Sequence, residues 1–245
     1  MCYAYKFVRK SDGTYSAFTH TETQRLLREG KIKEDADGYH FARDTIPALI
    51  QVQGESKVVP MRWDLIPSGY LKSDNLTVPE VIKRKNSKAK NPATGKTWGF
   101  SSFNARLETV RSLPSFRDPW IKGQRCVIAV DAFKERPNMD GAPKEFTGRE
   151  YEVGIQQTMF FTGLWDSWTS KDGDVLNSCT VITMSSEGIE PLRKIWHERV
   201  PVLLEEEACD EWLDLKTSPD IAFKMCEQVG AEYLSVREII KPVKS

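Results

Sequence analysis

The strongest constraint on the fold is a succession of short apolar segments between residues 124 and 184. The segments read RCVIAVDAF, REYEVGI, TMFFTGLWDSW and SCTVITM, and Gly, Asp and Asn residues separate them. Runs rich in β-branched and aromatic residues, bounded by turn-forming residues, are typical of β-strands joined by short connections. We therefore predict a sheet built mostly from antiparallel strands.

Helices are expected only around this sheet. Residues 19–28 form a short helical segment that Gly30 would end, and residues 205–215 and 221–228 are helical candidates near the C-terminus. Residues 72–99 are polar and lysine-rich, which predicts a long loop with at most a short helix. With no internal repeat in the sequence, we predict one α+β domain. Its core covers residues 1–215, and residues 216–245 form a helical extension packed on the same domain.

Composition places the chain among folded globular proteins. It has 245 residues, 35 basic and 35 acidic side chains and 40% hydrophobic residues, and its mean hydropathy is -0.47. No run reaches the roughly 18 apolar residues of a membrane helix, and no signal peptide opens the chain, so we expect a cytoplasmic protein without membrane contact.

Its five cysteines show no CxxC spacing, which argues against disulfides and a zinc site. We expect a monomer with no metal and no cofactor.

Cys2 has chemistry that depends on its position. If Met1 is removed, Cys2 carries both a thiol and an α-amine, and an α-amine has a pKa of about 7.7–8.0. Such a 1,2-aminothiol can condense with an aldehyde to form a thiazolidine. Alternatively, the thiol can attack an amide with the amine as its base. Position alone also fits an ordinary cysteine in a terminal strand.

Six segments in a fixed order carry a resemblance to a known family. They are MCYAY, RWDLIP, SFNARLET, RCVIAVDAFKE, FTGLWDSW and IWHERVP. Their order and spacing resemble the SRAP family (SOS response-associated peptidase), whose motifs read roughly MCGR, WGLIP, NARxET, RCLxPxDGFYEW, FAGLWxxW and HxRMP. The resemblance covers about residues 1–215 and implies the SRAP fold. It also implies covalent capture of single-stranded DNA at abasic sites.

The resemblance implies a role for each matching residue. The catalytic set is Cys2 as the crosslinking residue, Asn104 holding the abasic sugar, Glu135 in acid–base steps and His197 in sugar ring opening and crosslink reversal. The implied DNA-binding set is Arg62, Trp63, Arg106 and Arg199, with Trp63 at a base-stacking position. Ring opening of a closed abasic sugar needs both a proton acceptor and a proton donor, which a carboxylate and an imidazole can supply near neutral pH.

The basic charge is concentrated along one stretch of the chain. Residues 81–125 contain eleven Lys and Arg against Glu108 and Asp118, with five aromatic residues interleaved. Cations that follow a backbone and aromatic rings that stack on bases are the composition used for single-stranded nucleic acid. Zero net charge therefore does not exclude DNA as the partner.

Several positions depart from the family pattern. Tyr3 stands where glycine is common, Ala4 where arginine is common, Asp64 at a glycine position and Arg136 at a tryptophan position. We expect the loss of an arginine at position 4 and the negative charge of Asp64 to weaken contact with DNA phosphates.

Three functions stay open from the sequence. The first is an abasic-site sensor that binds single-stranded DNA, forms a thiazolidine crosslink through Cys2 and shields the lesion, with lyase and self-cleaving peptidase activities. The second is an N-terminal-nucleophile thiol peptidase or amidohydrolase. The third is a single-stranded DNA-binding module without chemistry.

Overall fold

A single β-sheet forms the centre of the molecule in the computed structural model, which describes residues 2–7, 14–90, 95, 97, 99–227 and 234–240. The strands in this part of the chain are β1 (Ala4–Lys6), β2 (Tyr39–Phe41), β3 (Thr45–Val52), β4 (Glu55–Trp63), β5 (Asn104–Arg106), β6 (Arg125–Glu135), β7 (Tyr151–Thr169), β8 (Val175–Ser185), β9 (Arg199–Pro201), β10 (Leu203–Leu204) and β11 (Leu234–Glu238).

Short helices surround the sheet. They are α1 (Thr14–Arg28), α2 (Val78–Lys85), α3 (Pro114–Ile121), α4 (Glu190–Lys194), α5 (Cys209–Leu213) and α6 (Pro219–Cys226). Over the described residues, none of these helices has the length and apolar character needed to cross a membrane.

The strand order is β10-β7-β8-β4-β3-β6-β1-β2, and β6 also pairs with β7, so that the central strands close into a ring. Most pairings are antiparallel, and β8 pairs in parallel with β4 and with β5. The predicted single α+β domain with a mostly antiparallel sheet and peripheral helices is confirmed.

The structure differs from the sequence-based expectation in the length of several elements. Two apolar segments predicted as separate strands form the single 19-residue strand β7, and β6 follows it through an irregularity between Val130 and Ala132. Helix α1 begins at Thr14, five residues earlier than expected. Within residues 72–99, α2 begins with a capping box formed by Thr77 and Glu80.

The C-terminal segment is not purely helical. After α6 the chain enters β11, which pairs antiparallel with β7, with Leu234 opposite Ile155 and Glu238 opposite Tyr151. The predicted helical extension did not include this strand, although Leu234 and Val236 alternate with polar residues. Strand β7 supplies its backbone hydrogen bonds. Residue 228, expected at the end of the last helix, lies outside the described residues, and the boundary at residue 215 stays a prediction.

The apolar core lies on both faces of the sheet. One cluster contains Cys2, Tyr5, Trp63 and Phe161, and the other is built around aromatic side chains from β7 and the helices, namely Phe116, Trp120, Phe160 and Trp212. Burying a large apolar side chain contributes about 1.5–3 kcal/mol. The first cluster therefore fixes the beginning of the chain, where Cys2 lies, against the sheet.

Gly163 in the FTGLWDSW segment is required by close packing. A Cβ atom there would lie 2.5 Å from the Thr180 carbonyl oxygen and 2.8 Å from the Cys126 sulfur. Both distances are too short for any side chain, so only glycine lets β7 approach β8 and β6 at this point.

One carboxylate joins the first and last strands of the sheet. Glu152 on β7 accepts hydrogen bonds from Lys6 on β1 (2.8 Å), from Arg237 on β11 (2.8 Å) and from the Tyr39 hydroxyl on β2. Burial acts to raise the pKa of Glu152, but these hydrogen bonds outweigh it and lower that pKa to about 2. The carboxylate is therefore charged throughout the physiological range and ties β1, β2, β7 and β11 together.

We predict that Glu152→Gln lowers the free energy of unfolding at neutral pH by about 1.5–3 kcal/mol, the range for a hydrogen bond to a charged group. Because the folded-state pKa is lower than the ordinary value of 4.5, the contribution is complete above that value and is lost as the pH falls toward about 2. Urea unfolding across this range measures the difference. The control is Glu55→Gln, an exposed carboxylate that pairs with Lys57 at 3.2 Å, and an equal loss in both variants would contradict the prediction.

Candidate active site

The start of the chain is inserted into the sheet. Strand β1 lies between β2 and β6, with Ala4 opposite both Phe41 and Lys134. Cys2 is fully buried, and its carbonyl oxygen accepts a hydrogen bond of 2.7 Å from the Asn104 amide nitrogen. The structure therefore brings together two of the predicted catalytic residues that lie 102 positions apart.

Burial controls the state of the Cys2 thiol. Its sulfur lies 3.7 Å from the Ala4 carbonyl oxygen. Burial raises the pKa of the thiol well above its ordinary value, and the Glu135 carboxylate raises it further. The thiol is therefore protonated at neutral pH, and a nucleophilic step requires a base close to it.

A carboxylate and an imidazole form a buried pair beside this thiol. Glu135 ends β6 and His197 precedes β9, and their Oε2 and Nε2 atoms are 3.1 Å apart with both side chains fully buried. His197 Nδ1 is 2.6 Å from the Arg136 carbonyl oxygen. Because a carbonyl oxygen can only accept, Nδ1 carries a hydrogen and Nε2 faces the carboxylate. The pair can therefore share a proton and pass it to a third group.

The backbone around His197 is held in an unusual conformation. The preceding residue, Trp196, has a φ of 55°, a left-handed value that is unfavourable for a bulky side chain. Its carbonyl oxygen accepts from the backbone N–H groups of Asn138 and Met139, and the Ser186 hydroxyl donates to the His197 carbonyl oxygen at 2.6 Å. These contacts orient the imidazole. The sequence contains no signal for them, because they join residues of separate loops and each involves a backbone carbonyl group.

The side chains of the NAR segment alternate between the two faces of strand β5. Ala105 is buried between Asn104 and Arg106, and β5 pairs in parallel with β8, with Arg106 opposite Thr183. Asn104 is directed to Cys2, while the Arg106 side chain is 58% exposed and lies 4.0 Å from Glu198. Arg106 is therefore placed to meet an anion from solvent.

The two other arginines of the predicted DNA-binding set are engaged within the protein. Arg199 has a nearly buried side chain that binds both Glu108 carboxylate oxygens, at 2.6 and 2.9 Å, and the Thr183 carbonyl oxygen at 2.6 Å. Arg62, 13% exposed, donates to the Arg43 carbonyl oxygen at 2.9 Å. In this conformation both guanidinium groups connect elements around the site. The expectation that they bind the DNA backbone is therefore revised.

Trp63 is a core residue. Its ring is fully buried, its indole N–H donates to the Phe103 carbonyl oxygen at 2.8 Å, and it packs edge-on against Tyr5 at a centroid distance of 5.5 Å. A base needs an open ring face to stack on. The expected stacking position is therefore revised to a packing position that supports Tyr5 and the residue before Asn104.

Asp64, expected to repel phosphate, is neutralised inside the protein. Its Oδ1 atom lies 2.5 Å from Lys85 Nζ, with both side chains fully buried, and accepts from the Ser102 N–H at 3.0 Å. Burial lowers the pKa of Lys85 to about 8, although Asp64 acts to raise it. Lys85 ends α2 instead of extending into solvent. The pair joins β4, α2 and the segment that leads into β5 and Asn104.

We predict that Asp64→Ala lowers the free energy of unfolding by about 3–5 kcal/mol, because it leaves the Lys85 ammonium buried without its carboxylate. The double variant Asp64→Ala/Lys85→Met removes both charges and is expected to recover most of that loss. Urea unfolding of the three proteins measures both differences. If the double variant were at least as unstable as the single one, the buried charge would not be the cause.

Fold and site together define a single-domain α+β protein in which a cysteine, an asparagine and a carboxylate–imidazole pair meet beside the first strand. Among the residues that the structure describes, no group of three His, Cys, Asp or Glu side chains is placed to hold a metal ion. The model of the SOS response associated peptidase (SRAP) family matches residues 1–245. The chain belongs to this family, which confirms the resemblance drawn from its motifs.

Relatives and solved structures agree with this assignment. The chain is 33% identical over 149 residues to the abasic site processing protein YobE of Bacillus subtilis, a match that covers 60% of this chain and 65% of that protein. It is 32% identical over 214 residues to the abasic site processing protein YoqW of Bacillus subtilis, covering 84% of this chain and 82% of that protein. A crystal structure of a protein from Bordetella bronchiseptica has the same fold, with a TM-score of 0.65, 20% identity and coverage of 98% and 100%.

Proposed function

We propose that this protein processes abasic sites in DNA by binding single-stranded DNA and forming a covalent bond through Cys2 after loss of Met1. Membership of the SRAP family and the names of its relatives support abasic-site processing. The observation that carries the chemical part is the placement of the buried Glu135–His197 pair next to Cys2. Met1 itself lies outside the described residues.

The first step is opening of the abasic sugar, which exists mostly as a closed hemiacetal. One group takes the proton of the sugar hydroxyl, the bond from that carbon to the ring oxygen breaks, and a second group protonates the ring oxygen. The Glu135 and His197 side chains, 3.1 Å apart, suit this transfer, because one partner can accept a proton while the other donates one. The product is a free aldehyde.

The second step is closure of a thiazolidine. The neutral α-amine of Cys2 attacks the aldehyde carbon, and water leaves to give an imine. The thiol then adds across the imine, so that a carbon–sulfur bond forms and the thiol proton passes to the nitrogen. Because the pKa of the buried thiol is raised, the carboxylate beside it serves as the base, and Asn104 holds the Cys2 carbonyl oxygen in place.

The imine and the thiol of Cys2 account for the further activities in the proposal. An imine at the sugar carbon acidifies its neighbour, which permits elimination of the 3′ phosphate as a lyase reaction. In the self-cleaving peptidase step the Cys2 thiol would attack the Met1 carbonyl carbon, so that a thioester forms as the amide C–N bond breaks and the nitrogen takes the thiol proton. Water would then hydrolyse the thioester, which releases Met1 and restores the thiol. Exposed Arg106 supplies the cation for a phosphate next to the lesion. Lesion shielding follows once the bond has formed.

We predict that wild-type protein gains the mass of an abasic oligonucleotide, less one water, and that Cys2→Ala gains no stable adduct, because without the thiol the imine cannot close to a thiazolidine and water reverses it. Intact-mass spectrometry before and after incubation also reports removal of Met1. The control is Cys209→Ala, since Cys209 is an equally buried thiol on α5. Crosslinking by Cys2→Ala at the wild-type rate would refute the proposal. Turnover of peptide amides without reaction with abasic DNA would favour the thiol peptidase instead.

We predict that Glu135→Gln and His197→Gln each slow crosslinking by about 10²–10⁴-fold, the range for a positioned acid or base. Half-saturation by DNA is expected to change little, because neither side chain is exposed. Arg106→Gln is expected to do the opposite, weakening binding with a smaller dependence on salt. Single-turnover rates over a series of DNA concentrations separate the two effects. Equal rates for Glu135→Gln and wild type would exclude the carboxylate from the chemistry.

A further inference from the structure

Three side chains outside the proposed catalytic set form a cluster next to Cys2. The Tyr3 hydroxyl donates to Glu150 Oε1. The Arg136 guanidinium donates to the same oxygen, at 2.7 Å from Nη2 and 3.1 Å from Nε, and its centre lies 4.6 Å from the centre of the Tyr3 ring. Tyr3 and Arg136 are two of the positions that depart from the family pattern, and in this chain they contact each other.

Each member of the cluster is adjacent to a residue of the site. Tyr3 follows Cys2 in the chain. Arg136 follows Glu135, and its carbonyl oxygen accepts from the His197 ring. Glu150 immediately precedes Tyr151, the residue that pairs with Glu135. The cluster side chains therefore connect the segments that carry the thiol and the carboxylate to the start of β7, and the backbone of Arg136 contacts the imidazole.

The first residues of a chain tend to fray unless contacts hold them. Tyr3 is held twice, because its carbonyl oxygen accepts from the Ala42 N–H at 2.8 Å and its hydroxyl is bound to Glu150. Glu150 is 8% exposed, so it needs both a cation and a hydrogen-bond donor. Burial raises the pKa of the Tyr3 phenol, and Glu150 raises it further, which keeps the hydroxyl a donor. The backbone at Tyr3, directly after Cys2, therefore has a fixed position.

The positive charge of Arg136 is paired with Glu150 inside the cluster. Its side chain is 56% exposed, but its Nε and Nη2 atoms face Glu150 and its guanidinium lies over the Tyr3 ring. A guanidinium already paired with a carboxylate adds little attraction for a phosphate. This arrangement favours a structural use of the cation over a direct contact with DNA.

We propose that Tyr3, Arg136 and Glu150 are positioning residues that hold the amine and thiol of Cys2 in reach of the Glu135–His197 pair. The proposal rests on the function proposed above. None of the three side chains needs to touch DNA or the reacting atoms. They act by fixing the residue that follows Cys2 and the residue that follows Glu135.

The test is single-turnover crosslinking of an abasic single-stranded oligonucleotide over a range of DNA and salt concentrations. Tyr3→Phe removes one hydroxyl and is expected to lower the limiting rate by about tenfold, since misplacement of reacting groups slows a step without weakening binding. Half-saturation is expected to stay unchanged. The control is Tyr15→Phe, whose hydroxyl also donates to a carboxylate, Asp210, but between α1 and α5. The limiting rate of this control should equal that of the wild type.

Two further variants test the cluster as a unit. Tyr3→Phe/Glu150→Gln is expected to slow the reaction by clearly less than the product of the two single effects, because both changes remove the same contact. Arg136→Gln is expected to lower the limiting rate and to leave the salt dependence of binding unchanged. An unchanged limiting rate in Tyr3→Phe would overturn the proposal. A weaker, less salt-dependent binding in Arg136→Gln with an unchanged rate would identify a phosphate contact instead and would also overturn it.

A measurement without DNA keeps this test separate from that of the proposed function. Amide hydrogen exchange of residues 4–6 is expected to be faster in Tyr3→Phe than in wild type and in Tyr15→Phe. If the wild type failed to crosslink abasic DNA while this difference in exchange appeared, the proposed function would fail. The inference that the cluster holds the backbone next to Cys2 would stand. If crosslinking occurred but exchange and rate were unchanged in Tyr3→Phe, the positioning role would fail alone.

Discussion

The pairing of β1 with β6 is the interaction on which the site depends. It is only three residues long, with Ala4, Tyr5 and Lys6 opposite Lys134, Phe133 and Ala132. This register places Cys2 just beyond the strand, where β6 ends in Glu135. A slip by one residue would turn every side chain of β1 to the other face. Tyr5 would then leave its aromatic contacts with Trp63 and Phe161, so the core enforces the register.

Charges buried around the site are balanced in pairs that span the molecule. Lys85 neutralises Asp64, Glu108 neutralises Arg199, and Arg136 neutralises Glu150. Such pairs add little net stability, because desolvation offsets most of the attraction, but loss of one partner is strongly unfavourable. Their consequence here is geometric. They fix α2, β5, β9 and the end of β6 relative to the first strand, and a catalytic constellation requires that rigidity.

Much of the fold could be predicted from local patterns. The apolar runs correspond to β6, β7 and β8. The motifs also led to Cys2, Asn104, Glu135 and His197, which the structure shows in two contacting pairs, Asn104 with Cys2 and Glu135 with His197. The errors concern residues whose surroundings come from elsewhere in the chain. Trp63 was expected to meet DNA and lies in the core. β11 was assigned to a helical extension, and its backbone hydrogen bonds come from β7, which lies far away in the sequence.

The sequence by itself determined the class of fold and the family, and it pointed to Cys2 as the candidate reactive residue, because alternation, motifs and the position of a cysteine can be read directly along the chain. Tertiary structure decided which polar side chains face solvent and which form ion pairs or hydrogen bonds inside the protein. Arg106 and Arg199 belong to similar short motifs, yet one is 58% exposed and the other 8%. The difference arises because Arg199 meets Glu108, 91 positions away. The exposure of a charged side chain depends on such distant partners, and the spacing of motifs along the chain does not predict them.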